Sequence, residues 1–229
     1  MKNNKTLLVF SLVTISIVII LFLGGVFHNN KKLLSKLNEN DYKDVDYLII
    51  VAHPDDETLW SFNTLYKNKC LVVCITCGRN KTREKEIEKV VKKTDDKLLS
   101  LGYTDKFLNH RSKWFISKNE IKKDLSTIIN LKRWKGIITH NKDGEYGHIH
   151  HKMIHNMVKG YKNYSVSYFG KYYSKNNINK INAKSIEKYR LDDDVLIKKN
   201  ETLKIYKSQK KVRQMFKHMV PYENIEYLN

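Results

Sequence analysis

Four ionisable side chains fall within five residues at His53-Pro54-Asp55-Asp56-Glu57. Imidazole and carboxylate are ligand types that zinc accepts, and a catalytic zinc keeps one position open for water. Pro54 stiffens the turn, so the flanking His53 and Asp56 can face one ion with Asp55 left free beside them. A second cluster, His148-Ile-His150-His151-Lys-Met-Ile-His155, sets four histidines in eight residues. On a helix, positions three and four apart are neighbours. His148, His151 and His155 then share a face, with His155 one turn deeper and His150 pointing elsewhere. The spacing is not H-E-x-x-H, which disfavours a zincin protease. Joined, the clusters give a His/Asp/His set with one spare Asp and one spare His. That is the inventory of metal-assisted hydrolysis: three ligands, an open position, a base, and a group for the oxyanion or the leaving amine. For Asp55 or Asp56 alone, the plain alternative is a carboxylate at the positive end of a helix.

Such residues need a scaffold that brings both clusters to one place. Asp46 to Ala52 is an apolar run that predicts a buried strand, and Glu57 to Tyr66 predicts a helix burying Leu59, Phe62 and Leu65. Cys70 to Thr76 predicts a second strand, ended by a turn at Gly78. Ile87, Val90, Val91, Leu98 and Leu101 carry a helical period from about Asn80 to the stop at Gly102. A short strand near Lys106 to Asn109 and a helix over about Ser117 to Leu131 follow. Lys135 to Thr139 predicts a strand running into the loop His140 to Gly147, with the histidine helix beyond it. Ser165 to Phe169 reads as a strand and Thr202 to about His218 as a closing helix. The alternation predicts an α/β, Rossmann-like, mainly parallel sheet with helices on both faces. Ligands bind such sheets beyond the carboxyl ends of the strands, where both clusters fall. No G-x-G-x-x-G follows either strand, so dinucleotide binding lacks its signature.

The 229 residues fit one domain after an amino-terminal segment. Lys+Arg 43 against Asp+Glu 24 gives +19, but only six of the 43 are Arg. Base reading leans on Arg forks, so no nucleic-acid partner is expected. The Lys excess reads as a solvated surface, or as attraction to anionic lipid or glycan. Cys70, Cys74 and Cys77 are too few for a disulfide scaffold. Cys74 and Cys77, three apart on a strand, would face opposite ways and read as small core residues.

Leu7 to Phe27 is a run of 21 residues without a charge, long enough to span a bilayer as a helix. No small-residue cleavage site follows it, so it reads as an uncleaved signal-anchor, a single-pass transmembrane helix. Residues 1–27 would be the membrane anchor, 28–44 a linker or short helix, and 45–229 the catalytic domain. Lys2 and Lys5 before the run nearly balance Lys31, Lys32 and Lys36 after it, so charge does not choose the side of the domain.

Ala52-His53-Pro54-Asp55-Asp56-Glu57, with Gly147-His148-x-x-His151 downstream, resembles the PIG-L/LmbE-like zinc-dependent N-deacetylases. Thr139 to His148 is similar to the loop before that family's second motif, and Tyr206-Lys-Ser-Gln209 to its Tyr-x-Ser-Gln. The likeness covers roughly residues 46–215. It implies one zinc held by His53, Asp56 and His151, and Asp55 as general base. It implies that His148, protonated, opposes the oxyanion or protonates the amine. Arg83, in Arg83-Glu-Lys-Glu86, matches the family's substrate-contacting Arg. The implied reaction removes the N-acetyl group from an N-acetylated amino sugar such as N-acetylglucosaminyl-phosphatidylinositol. Family members often carry an acidic residue for sugar hydroxyls after the third strand, and Phe107 to Arg111 offers none in register. The competing classes are a Lys-rich membrane-tethered module with a silent fold, and a hydrolase of another amide.

Overall fold

The structure is a computed structural model and describes residues 2–77, 80–107, 110–178 and 186–227. The apolar runs form β1 (Tyr47–Val51), β2 (Cys70–Cys74), β3 (Lys97–Ser100), β6 (Gly136–Thr139) and β7 (Val166–Phe169), all parallel. β8 (Ile225–Tyr227) adds an antiparallel edge, giving the order β3-β2-β1-β6-β7-β8. β4 (Lys106–Phe107) and β5 (His110–Arg111) form a separate hairpin. The central strands are apolar throughout because both faces are covered. Leu48 and Ile50 pack with Ile121, Leu125 and Ile154 on one face; Ile49 and Val51 pack with Leu59, Ile87 and Val90 on the other. The strand order runs outward both ways from β1, since β2 pairs on one side and β6 on the other. A crevice therefore opens beyond the carboxyl ends of β1 and β6.

The helices are α1 (Lys2–Leu34), α2 (Asp56–Trp60), α3 (Phe62–Lys67), α4 (Lys81–Thr94), α5 (Lys118–Ile129), the single turn α6 (Gly144–Gly147) and α7 (Ile149–Val158). Two more lie near the end, Asp193–Leu203 and Lys210–Phe216. Three expectations need correction. The helix expected over 57–66 breaks at Ser61, whose φ of −143° is extended. The helix expected to reach Leu101 stops at Thr94, because Asp95 turns left-handed at φ 60°. Asp96 then accepts the Cys70 N–H at 2.8 Å and the following residues become β3. A four-residue stretch with two adjacent leucines does not distinguish a helix end from a short strand by period alone. The closing helix is likewise two helices, parted at Tyr206 to Gln209.

The turn expected at Gly78 lies outside the described residues, as do Leu108 and Asn109 of the expected 106–109 strand. Cys74 ends its strand and Cys77 lies past the bend, so their thiols hydrogen-bond each other rather than facing apart. At the amino terminus, α1 runs unbroken past residue 27, and Asn30 Nδ2 donates to Asp124 of α5 at 3.0 Å. Among the described residues no helix is long and apolar enough to cross a membrane. The expected span Leu7–Phe27 lies on α1, but the side chains of residues 19–28 fall outside those described.

Candidate metal centre

The first cluster is shaped by backbone strain that its own side chains hold in place. The Ala52 N–H donates to His140 Nε2 at 2.9 Å, tying the end of β1 to the end of β6. Three residues on, Asp55 is left-handed at φ 108°, a conformation that costs a non-glycine residue on the order of 1–3 kcal/mol. Glu57, fully buried, holds it there by accepting the Asp55 N–H at 3.1 Å. The hydroxyls of Thr58 and Tyr206 donate in turn to Glu57 Oε1. Asp56 Oδ2 accepts the His53 N–H at 2.9 Å, closing the turn over its own side chains.

The second cluster meets the first across the crevice. His53 Nδ1 lies 3.2 Å from Asp56 Oδ2, His151 Nε2 lies 3.3 Å from the same oxygen, and the two nitrogens are 3.3 Å apart. Tetrahedral ligands on bonds of about 2.0–2.1 Å stand roughly 3.3 Å from one another. Hydrogen-bond partners assign the tautomers. His151 Nδ1–H donates to Glu145 Oε2, which leaves Nε2 bare. His150 Nε2–H donates to the Ser112 carbonyl at 2.6 Å, so its Nδ1 accepts from His53 Nε2–H at 3.1 Å. His53 Nδ1 is therefore bare too. Two imidazole nitrogens and a carboxylate oxygen face one another at about 3.3 Å, and a cation would satisfy all three. The electrostatics favour positive charge at this place: burial alone would lower the His151 pKa, yet Asp56 and Glu145 raise it to about 10. Glu145 orients a ligand imidazole in the manner of carboxylate–histidine–metal sites.

Two other nearby triads are spoken for. Asp56, His140 and His151 come together, as do His53, Asp105 and His150. His140 Nε2, however, already accepts from Ala52, and its Nδ1–H goes to Glu145 at 3.0 Å. His150 Nδ1 already accepts from His53.

The structure brings His53, Asp55, Asp56, Arg83, His148 and His151 together, and His150 with them. Asp55 is buried beside the ligand set; burial first, then the Asp56 charge, raise its pKa well above the carboxylate range, while Arg83 opposes them. Burial would raise Asp56 too, but His151 and His53 hold it well below. The two adjacent carboxyls are thus pushed in opposite directions. His148 is within ligand-atom reach of His53 and His151. Burial, then the His53 and His151 charges, push its pKa down to about 2, away from the protonated form expected of it. Its Nδ1 accepts the His150 N–H at 3.2 Å as the cap of α7, which leaves a neutral Nε2–H as a donor. His150, expected to point away, touches His53 instead. The site lies off the amino-terminal end of α7, so successive first-turn residues surround it. His155 lies behind, against the His140 carbonyl at 3.1 Å. Arg83 Nη2 donates to the Pro54 carbonyl at 2.9 Å and stands 3.7 Å from Asp55 Oδ1.

Two acidic residues were missed from sequence. Glu145, at φ 54°, stands between Gly144 and Gly147 in the loop before α7. Asp105 sits 3.4 Å from Arg83 Nη1 and 3.5 Å from His53 Nε2. Burial would raise its pKa, but His53 and Arg83 hold it low. Asp105 stands two residues before Phe107, in the connection that follows the sheet's third strand, Lys97–Ser100.

A family model described as GlcNAc-PI de-N-acetylase (PIG-L) matches residues 48–162, from β1 to beyond α7. An uncharacterized protein, L374, of Acanthamoeba polyphaga mimivirus is 29% identical over 185 residues, 72% of this chain and 80% of its own length. Among solved structures, GalB, the 4-carboxy-2-hydroxymuconate hydratase of Pseudomonas putida KT2440, aligns with a TM-score of 0.42 at 11% identity, over 80% of this chain and 96% of its own.

Proposed function

Because this chain belongs to the PIG-L, GlcNAc-PI de-N-acetylase family, we propose that it is a zinc-dependent hydrolase acting on an N-acetylglucosamine-type substrate. Water cleaves the amide bond, and acetate and the free amino sugar leave. The observation that carries this reading is the near-equilateral set of His53 Nδ1, Asp56 Oδ2 and His151 Nε2, with buried Asp55 unspent beside it.

Zinc bound by those three atoms would supply Lewis acidity toward the amide carbonyl and toward water. The chain's own residues do the rest. Asp55, in its ionised form, accepts a proton from the attacking water at a carboxylate oxygen. Its raised pKa suits it to hand that proton to the departing nitrogen. The His148 Nε2–H donates to the oxygen on which charge grows, at no cost in reorientation, since capping α7 fixes the ring. Arg83 and Asp105 offer a cation and an acceptor beside the reacting groups, suited to the hydroxyls or phosphate of a glycoconjugate. N-acetylglucosaminyl-phosphatidylinositol fits that inventory, and the apolar run Leu7–Phe27 would tether the domain near such a lipid.

The test is amine release from N-acetylglucosaminyl-phosphatidylinositol by the full chain, with zinc, with chelator, and with Asp55→Asn as blank. Release that needs both zinc and Asp55 supports the reading. Protein that holds about one zinc per chain yet releases nothing from this or any N-acetylated glycan tested overturns it.

A further inference from the structure

Between β5 and α5 the chain turns outward on a fixed base. Trp114 is left-handed at φ 49°, and its buried ring stacks on His150 with centroids 4.1 Å apart. Its indole N–H donates to the Thr104 carbonyl at 2.8 Å. The next two side chains, Phe115 and Ile116, are 84% and 64% exposed, and Ser117 is buried again. Single exposed apolar side chains are ordinary on a protein surface. Two large adjacent ones, held out by a strained and anchored residue, are not.

The surroundings say what covers them. From Lys106 to Lys123 the chain carries six basic residues and one acidic residue, Glu120. Lys113 and Lys118, exposed, bracket the tip directly, and Glu120 is paired by Lys123 at 2.7 Å. The flanking Asp105 and Asp124 are turned inward, onto Arg83 and Tyr103. An apolar tip in a basic collar complements an anionic lipid leaflet: aromatic and aliphatic groups enter the headgroup boundary while cations meet the headgroups. The tip also leads into α5, and α5 holds α1 through Asn30 and Asp124. α1 in turn carries the exposed apolar side chains from Leu7 to Val18.

We infer that Phe115 and Ile116 form a membrane-docking tip that inserts into an anionic lipid surface. Only Lys113 and Trp114 separate Phe115 from Ser112, whose carbonyl fixes His150, which fixes His53. Insertion therefore sets the metal centre at headgroup depth. The inference rests on the proposed function only for its consequence, access to a lipid-borne amino sugar.

The test uses the full chain with Phe115→Cys, or Ile197→Cys as an exposed apolar control on the helix Asp193–Leu203. The native cysteines are buried, so a nitroxide reagent reaches the introduced thiol. In vesicles of phosphatidylcholine with phosphatidylserine, collision with dissolved oxygen is compared with collision with a water-soluble nickel chelate. The label at 115 should be several-fold richer in oxygen contact and poorer in nickel contact than that at 197. Equal accessibility at the two positions overturns the inference, whether or not the chain hydrolyses anything. As a second readout, Phe115→Ser with Ile116→Ser should raise KM for vesicle-borne substrate several-fold and leave kcat/KM on a water-soluble N-acetylated glycoside unchanged. Equal loss on both substrates would mean a folding defect, and would likewise overturn it.

Discussion

The Tyr206 hydroxyl donates to Glu57 Oε1 across 149 residues of sequence. Glu57 in turn holds the left-handed Asp55 by its N–H. Two residues beyond the tyrosine, Ser208 gives its N–H and hydroxyl to Glu86, one turn after Arg83 on α4. One short segment therefore braces both the strained turn and the helix that carries the arginine. This also explains why no continuous helix runs from Thr202 to His218. Removing the phenol should loosen the turn without touching a ligand. Tyr206→Phe is expected to lose about 1.5–3 kcal/mol of stability, the range for a hydrogen bond to a charged group. It should lower kcat while zinc content stays at the parental level. Chemical unfolding and metal analysis on the same preparation check it; a parental kcat would show that the turn holds without this brace.

On the proposed function, Asp55 and His151 divide the labour between base and ligand. Asp55→Asn removes a base but no ligand, so it should retain zinc and lose roughly 10²–10⁴-fold in turnover. His151→Ala deletes a ligand and should lose both. The measurement is zinc per chain by mass spectrometry alongside amine release. Equal metal content in the two variants would undo the assignment of roles.

Glu145 is the orienting carboxylate behind His151. Glu145→Gln keeps the shape but removes the charge that fixes the Nδ1–H tautomer. Zinc affinity should fall about 10–100-fold, as for other outer carboxylates behind histidine ligands. Competition with a chelator of known affinity reads this directly, and an unchanged affinity would leave Glu145 a structural role only.

Most of this site was legible because it is local. His53, Asp55 and Asp56 are set by one strand end and one stiff turn, and His148 and His151 by helical spacing after another strand. What sequence did not reveal was mostly long-range. Asp105 reaches His53 only because β3 occupies Lys97–Ser100, and a short apolar stretch after an amphipathic helix gives no periodic signal of its own. Glu145 acts through a positive φ between two glycines, which no pattern of residue types specifies. His150 was read by helical face alone, a rule that fails where the site faces the end of the helix and not its side.

The start of β2 offers a prediction about pH. Asp96 Oδ1 accepts the Cys70 N–H at 2.8 Å, while Oδ2 is buried with no hydrogen-bond partner among the described residues. Burial raises the Asp96 pKa to about 6, against about 3.9 in an unfolded chain. The sign follows from proton binding. Between these values the folded state holds the proton and the unfolded state does not, so stability falls as pH rises. The contribution is complete below the unfolded pKa and is lost as pH passes through about 6. Asp96→Asn keeps an oxygen for Cys70 and cannot ionise. Relative to the parent, the variant should therefore gain about 2 kcal/mol between pH 4 and pH 7.5, from a shift of roughly two pKa units. Urea unfolding of both proteins at the two pH values measures it. A stability difference that stays constant with pH would mean that Asp96 titrates normally and that water reaches its free oxygen.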